Sequence, residues 1–277
     1  MAEIDGVKLH TEWYDSLGAH DAAPRFVFLL VHGIFSTTFS FQALIPKLQA
    51  YGDVLAVDLP GFGQSEKGMK YHHSYDQMGR TLEKLIAEKT ADRPVIAVGH
   101  SMGGQVVLRL ARQQPQRLKG MILLAPSAEL PKSPRLFRMM TRFPFFTLWL
   151  RNYVQKKDPY TVLKTVVHDE SLVTKAQAEI YAEPLKDRRF YHSLKRLIRE
   201  REGDLSEREY KAIKIPALIL WGENDRVLPV QSGERLAAAL PDAVFYTLKS
   251  TGHLISEESP ETVVTYIDAF LNERFNV

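Results

Sequence analysis

The sequence predicts an α/β fold, a mostly parallel central sheet flanked by helices, with a helical cap inserted between two strands. Three observations carry this expectation. Short, continuously apolar, β-prone runs recur along the chain, and segments of helical period lie between most of them. The alternation fails once, from about residue 126 to 215, where no strong strand is visible. Strands that are apolar on both faces belong to a parallel sheet covered on both sides, since each apolar face has to be removed from water. With 277 residues, 45% of them hydrophobic, the chain is long enough for one large domain with an insertion. The expected division is an α/β core of residues 1–125 and 216–277 and a cap of residues 126–215.

Taken in order, Val7 to Tyr14 alternates like an edge strand, and Phe26 to Val31 reads as a fully buried one. Phe41 to Leu48 has helical spacing, and Val54 to Val57 is the next strand. Ser74 to Glu88 is a helix, Pro94 to Val98 a strand, Gln105 to Gln113 a helix and Met121 to Leu124 a strand. The insertion follows, aromatic and basic, punctuated by Pro131, Pro134, Pro144 and Pro184. Strands at Ala217 to Trp221 and Val244 to Leu248 then alternate with helices at Ser232 to Ala239 and Glu261 to Glu273, the last opened by Pro260. An insertion at this point is expected to cover the carboxyl ends of the strands, where open α/β sheets bind ligands, and to act as a lid.

The chemistry is concentrated at Gly99-His100-Ser101-Met102-Gly103, where a buried strand turns at a serine directly into a helix. Such a turn forces the serine into strained backbone geometry, and the flanking glycines let neighbouring chain approach closely. Ser101 is the candidate nucleophile. A serine hydroxyl is a weak nucleophile near neutral pH, so it needs a histidine to take its proton and a carboxylate to orient that histidine. Asp225, in the loop after the Ala217 to Trp221 strand, and His253, just after the last strand, stand in the right chain order. Glu129, after the Met121 to Leu124 strand, is the alternative acid, and Glu223 lies two residues from Asp225. Among nine histidines, His32 and His100 are expected to be structural, and His72, His73, His168 and His192 to be surface or lid residues. The N–H of Met102, at the start of the helix, is the first candidate donor to an oxyanion.

Val31-His32-Gly33, Asp58-Leu59-Pro60-Gly61-Phe62-Gly63-Gln64-Ser65, Gly99-His100-Ser101-Met102-Gly103-Gly104, Trp221-Gly222-Glu223-Asn224-Asp225 and Gly252-His253 resemble, in order, the motif series of the α/β-hydrolase superfamily. The chain is similar to small lid-bearing bacterial carboxylesterases. The resemblance spans residues 31–253 and assigns the second oxyanion donor to the N–H of Ile34, with Phe35 one residue away. Serine at 101 argues against the relatives that use aspartate there, the haloalkane dehalogenases and epoxide hydrolases.

The chain has no cysteine, and it lacks a dinucleotide fingerprint, a phosphate loop and metal-ligand spacings, so no cofactor and no metal are expected. Its first residues are polar and acidic, and its longest clean apolar run, Phe26 to Val31, is far too short to span a bilayer. The expectation is a soluble, unexported, cytoplasmic protein without stable membrane insertion. Charge is uneven: residues 132–201 hold 16 Lys and Arg against seven Asp and Glu, leaving 20 against 26 elsewhere. Because these cations form no dense tract, a solvated helical surface is expected in preference to a nucleic-acid site.

Leu136 to Leu150 is strongly apolar with interspersed arginines. Met139, Met140, Phe143, Phe146 and Trp149 are read from it as an acyl-binding wall, with a homodimer contact second and a lipid contact third. Together these readings imply a carboxylesterase acting on a small-molecule ester of short-to-medium acyl chain through an acyl-serine. A monoacylglycerol-type lipase, a carbon–carbon bond hydrolase and an acyltransferase are the enzymatic alternatives. A small-molecule-sensing homologue is the non-enzymatic one.

Overall fold

The computed structural model describes residues 1–17, 26–67 and 71–276. Its strands are β1 (Ala2–Ile4), β2 (Val7–Leu9), β3 (Thr11–Tyr14), β4 (Phe26–Val31), β5 (Gly52–Val57), β6 (Val95–His100), β7 (Leu118–Leu124), β8 (Ala217–Gly222) and β9 (Ala243–Leu248). Strands β4, β5, β6 and β8 are buried at every position, as continuous apolar runs require once helices cover both faces. The large sheet has the order β3-β5-β4-β6-β7-β8-β9, antiparallel only at the β3 edge. Chain-adjacent β4 and β5 are also sheet neighbours, and the path then crosses to the other side of β4, so the loops after β4 and β6 meet at one end of the sheet. The register sets Val31 against Gly99, one residue before the β6 terminus.

The alternation of Val7 to Tyr14 does not make one strand. It is cut at His10: β2 pairs with β1 in a separate two-stranded sheet, whereas β3 pairs with β5. The His10 N–H donates to Ser65 Oγ at 2.8 Å and its carbonyl accepts from Asp58 N at 3.1 Å, which holds this residue between the two sheets. Phe41 to Leu48 is likewise divided, into a 3₁₀ turn at Thr38–Phe41 capped by Thr37 and a short helix α1 (Ile45–Leu48). Pro46, with no N–H to give, fits only the first turn of the new helix.

The remaining helices of the first half are α2 (Tyr75–Lys89), capped by Ser74, and α3 (Met102–Gln113). Between β7 and β8 the chain forms α4 (Arg135–Met140), α5 (Phe146–Gln155), α6 (Pro159–Val166), α7 (Lys175–Lys186), α8 (Arg188–Glu200) and α9 (Glu207–Tyr210). After β8 come α10 (Val230–Ala239), α11 (Ile255–Glu258) and α12 (Pro260–Phe275). Local signals set these boundaries: Asp158 caps α6, a Thr174–Gln177 capping box opens α7, and Asp187 caps α8.

Apolar side chains of the 126–215 segment bury in two places. Phe146, Phe190, Tyr191, Leu194 and Leu197 join the main core, each worth about 1.5–3 kcal/mol of burial. Leu163, Val167, Val173, Ala178 and Tyr181 form a second cluster that closes on Leu254, immediately after His253. Helices α6 and α7 therefore pack against the loop that carries one of the candidate residues.

Candidate active site

Ser101 stands between β6 and α3 with φ 52° and ψ −119°, a conformation that costs a residue with a Cβ about 1–3 kcal/mol. Its surroundings allow no relaxation. A Cβ on Gly103 would lie 2.1 Å from the Val31 carbonyl oxygen, and one on Gly99 would lie 2.6 Å from Gly104 Cα. The serine's own backbone is fixed too, its N–H donating to Leu124 O at 3.0 Å and its carbonyl accepting from Gly104 and Ser127 at 3.0 Å each.

His253 and Asp225 meet directly. The His253 Nδ1 lies 2.7 Å from Asp225 Oδ2, while Asp225 Oδ1 accepts from the N–H groups of Val227 at 2.7 Å and Leu228 at 2.9 Å. The Asp225 side chain is fully buried, and both of its oxygens have hydrogen-bond partners, as a buried polar group requires. Bonding at Nδ1 places the proton there and leaves the Nε2 lone pair as the basic site. The His253 main chain is clamped from two sides, donating to Val166 O at 2.8 Å and accepting from His100 Nε2 at 2.9 Å. Among the described residues Ser101 Oγ makes no hydrogen bond, so the structure brings Asp225 and His253 into contact and leaves the serine hydroxyl free.

Two other histidines brace this end of the sheet. His100 is buried 4.9 Å from the His253 ring, and burial together with that neighbour pushes its pKa down to about 3, so it is a neutral donor to the His253 carbonyl. His32 donates from Nδ1 to Gly33 O at 2.7 Å and accepts the Leu59 N–H on Nε2 at 3.0 Å, with burial lowering its pKa. His73 departs from its expected place as a surface or lid residue, since it lies just before α2 and is fully buried. Its Nδ1 is bonded to Tyr71 O at 3.0 Å, and burial takes its pKa down to about 4.

Glu129 does not approach His253. Its carboxylate is held by the Arg235 guanidinium and the Ser232 hydroxyl, and the Arg235 bonds take its pKa down to about 2. It borders a depression of about 410 Å³ shared with Leu205, Tyr210 and Ala239, one that Ser101 does not line.

The cavity that Ser101 does line measures about 220 Å³. Its walls are mostly apolar: Ile34, Met102, Leu130, Leu197, Ile198, Val227 and Leu228, with Tyr75, Ser127 and Arg201 as polar lining. Ile34 and Met102 thus both border the serine, and neither main-chain N–H donates to a protein acceptor among the described residues. The five cap residues expected as an acyl wall are not part of this lining. Phe146 is buried in the main core, Met139 borders a different depression, and Met140, Phe143 and Trp149 face solvent. The reason is that α5 is apolar on two sides: Phe146 and Leu150 face inward, which leaves Leu148 and Trp149 outside.

Sequence reading missed the walls that α8 provides, Leu197 and Ile198. The signal was present in Phe190, Tyr191, Leu194, Leu197 and Ile198, which follow helical spacing behind interleaved cations. It also missed Glu258. That carboxylate accepts the Gly252 N–H at 3.1 Å and the His168 N–H at 2.6 Å, tying the residue before His253 to the end of α6.

Among the described residues no grouping of His, Cys, Asp or Glu could hold a metal ion, and no helix is long and apolar enough to cross a membrane. A serine on a tight strand-to-helix turn of a mostly parallel sheet, with an acid after β8 and a histidine after β9, places the protein among the α/β-hydrolases. More narrowly, the family model for serine aminopeptidase S33 matches residues 22–260, and the chain belongs to that family of hydrolases. It is 37% identical over 268 residues to the uncharacterized hydrolase YugF of Bacillus subtilis (strain 168), covering 97% of this chain and 96% of that one. It is 24% identical over 258 residues to Lipase 1 of Psychrobacter immobilis, covering 87% of this chain and 75% of the lipase. A solved meta-cleavage product hydrolase, CumD, superposes with a TM-score of 0.76 at 21% identity over 98% of this chain and 97% of its own.

Proposed function

We propose that this hydrolase cleaves carboxylic esters of short-to-medium acyl chain through an acyl-serine. Ser101 Oγ attacks the acyl carbon as His253 Nε2 takes its proton, and Asp225 holds the imidazole and stabilises the imidazolium that forms. The developing oxyanion is received by the main-chain N–H groups of Ile34 and Met102. His253 then returns the proton to the leaving alcohol, and a water activated by the same nitrogen releases the acid. The cap of residues 126–215 serves as the lid over this cavity, and the enzyme works in the cytoplasm without metal or cofactor.

The observation that carries the reading is the Asp225–His253 hydrogen bond of 2.7 Å, made by a fully buried carboxylate at the sheet end that also bears the strained serine. The apolar lining and the modest volume of about 220 Å³ favour small acyl groups. The test is hydrolysis of p-nitrophenyl esters from acetate to palmitate by the protein and its Ser101→Ala variant. Turnover lost in the variant and greatest at short-to-medium chains is the expected result. A maximum at palmitate would favour a lipase, and equal, negligible turnover in both proteins would overturn ester hydrolysis.

A further inference from the structure

The solvent-facing side of α4 and α5 is unlike the rest of the molecule. Of the 19 large hydrophobic residues exposed among the described residues, eight fall between Leu136 and Tyr153. Leu136 is 70% exposed and Phe145 77%, and Leu148, Trp149 and Tyr153 continue the same side of α5 at helical spacing. Scattered single hydrophobics are ordinary on a protein surface, whereas a contiguous patch marks a contact.

Charge identifies the contact. Residues 131–157 contain seven Lys and Arg and no Asp or Glu. None of these seven cations joins an ion pair among the described residues, whereas many cations of the following helices do: Lys164 with Glu170, Lys186 with Glu183, Arg189 with Asp187, and Arg196 and Arg199 with Glu200. The expected solvated helical surface therefore describes α6 to α8, whose cations are largely paired, better than α4 and α5. Beside the apolar patch, Arg135, Arg138, Arg142 and Arg199 line a depression of about 280 Å³, suited in size and sign to a phosphate group.

We propose that the α4–α5 face docks peripherally on an anionic lipid bilayer, its aromatic and aliphatic side chains entering the headgroup boundary and its arginines engaging lipid phosphates. Exposed aromatics beside unpaired Arg and Lys are the composition of an interfacial surface, which needs no spanning segment. A second copy of this chain fits less well, because a two-fold contact through this face would set seven unpaired cations against seven more. The proposal does not depend on the ester-hydrolase reading.

The test is co-sedimentation of the full-length protein with vesicles of phosphatidylcholine alone or with phosphatidylglycerol added to about one third. Two combined variants accompany it, Leu136→Gln with Phe145→Gln and Leu148→Gln, and Arg135→Gln with Arg142→Gln. Thermal unfolding of each variant serves as the folding control, so a failure of docking is separate from a failure of ester turnover. The expected result is partition onto anionic vesicles at least ~10-fold stronger than onto neutral ones, reduced by high salt, and weakened ~10-fold or more in each variant. Wild-type protein left in the supernatant, equal binding to both vesicle types, or variants that pellet like wild type would each overturn the proposal. So would a concentration-dependent dimer abolished by the apolar variant, which would assign the face to a second copy.

Discussion

The loops that follow β7 and β8 each carry an acid near the carboxyl end of a neighbouring strand, and the two acids are held differently. Glu129, after β7, lies on the surface with its side chain 43% exposed and its oxygens taken by Arg235 and Ser232. Asp225, after β8, is fully buried, one oxygen on two main-chain N–H groups and the other on His253. Equivalent chain position therefore does not make the two acids equivalent: only Asp225 has an oxygen directed at a histidine. Replacing Asp225 with Asn breaks this arrangement most severely. The Val227 and Leu228 N–H groups require an acceptor at Oδ1, so the amide NH₂ must face His253 Nδ1 and drive the ring proton to Nε2, where it blocks uptake of the serine proton. Turnover of a short ester is expected to fall about 10³–10⁴-fold with KM little changed. A loss below about tenfold would remove Asp225 from the proposed mechanism.

The same contrast separates what was legible in the sequence from what was not. The strand, the serine and the helix at residues 94–113 were readable because close packing at Gly99 and Gly103 leaves little choice of residue. Chain order named Asp225 and His253, but order is not contact, and only the turn in which Asp225 N donates to Gly222 O aims the carboxylate at the ring. The apolar run at 136–150 misled in the opposite sense. Hydrophobicity promised a pocket wall, but a helix apolar on two sides can bury only one, and α5 buries Phe146 and Leu150. The alternation of Val7 to Tyr14 continues through His10, so periodicity could not show that the strand changes sheets there.

A finer contrast lies between the Asp225 carboxylate and Glu257, on α11 just beyond His253. Glu257 is half-buried, bonded to Tyr181 and Gln177 of α7 and adjacent to Glu258, and the removal of its carboxyl from water pushes its pKa up to about 7. A carboxyl whose folded pKa is raised binds more protons folded than unfolded. Its contribution is thus complete below the unfolded value near 4.5 and is lost as pH rises through about 7. Stability is expected to decline across that window by on the order of 1–3 kcal/mol from this group and then level off. Urea unfolding of Glu257→Gln should show a flatter dependence between about pH 5 and 8. An unchanged slope in the variant would mean that another group governs it.

The smallest effect is expected at Glu129. The Arg235 and Ser232 bonds hold its pKa down to about 2, so its contribution is present above the ordinary value near 4.5 and disappears as pH falls toward 2. Because this ion pair stands in solvent, screening leaves it worth less than about 1 kcal/mol. Glu129→Gln should therefore leave ester turnover within about twofold, with a small loss of stability confined to pH above about 4. Since Asp225 already occupies His253 Nδ1, a glutamate committed to Arg235 could serve the histidine only after breaking both that pair and the Asp225 bond. If Glu129→Gln nevertheless lowered turnover as far as Asp225→Asn, the functional acid would be the one after β7, and the contact seen between Asp225 and His253 would be structural.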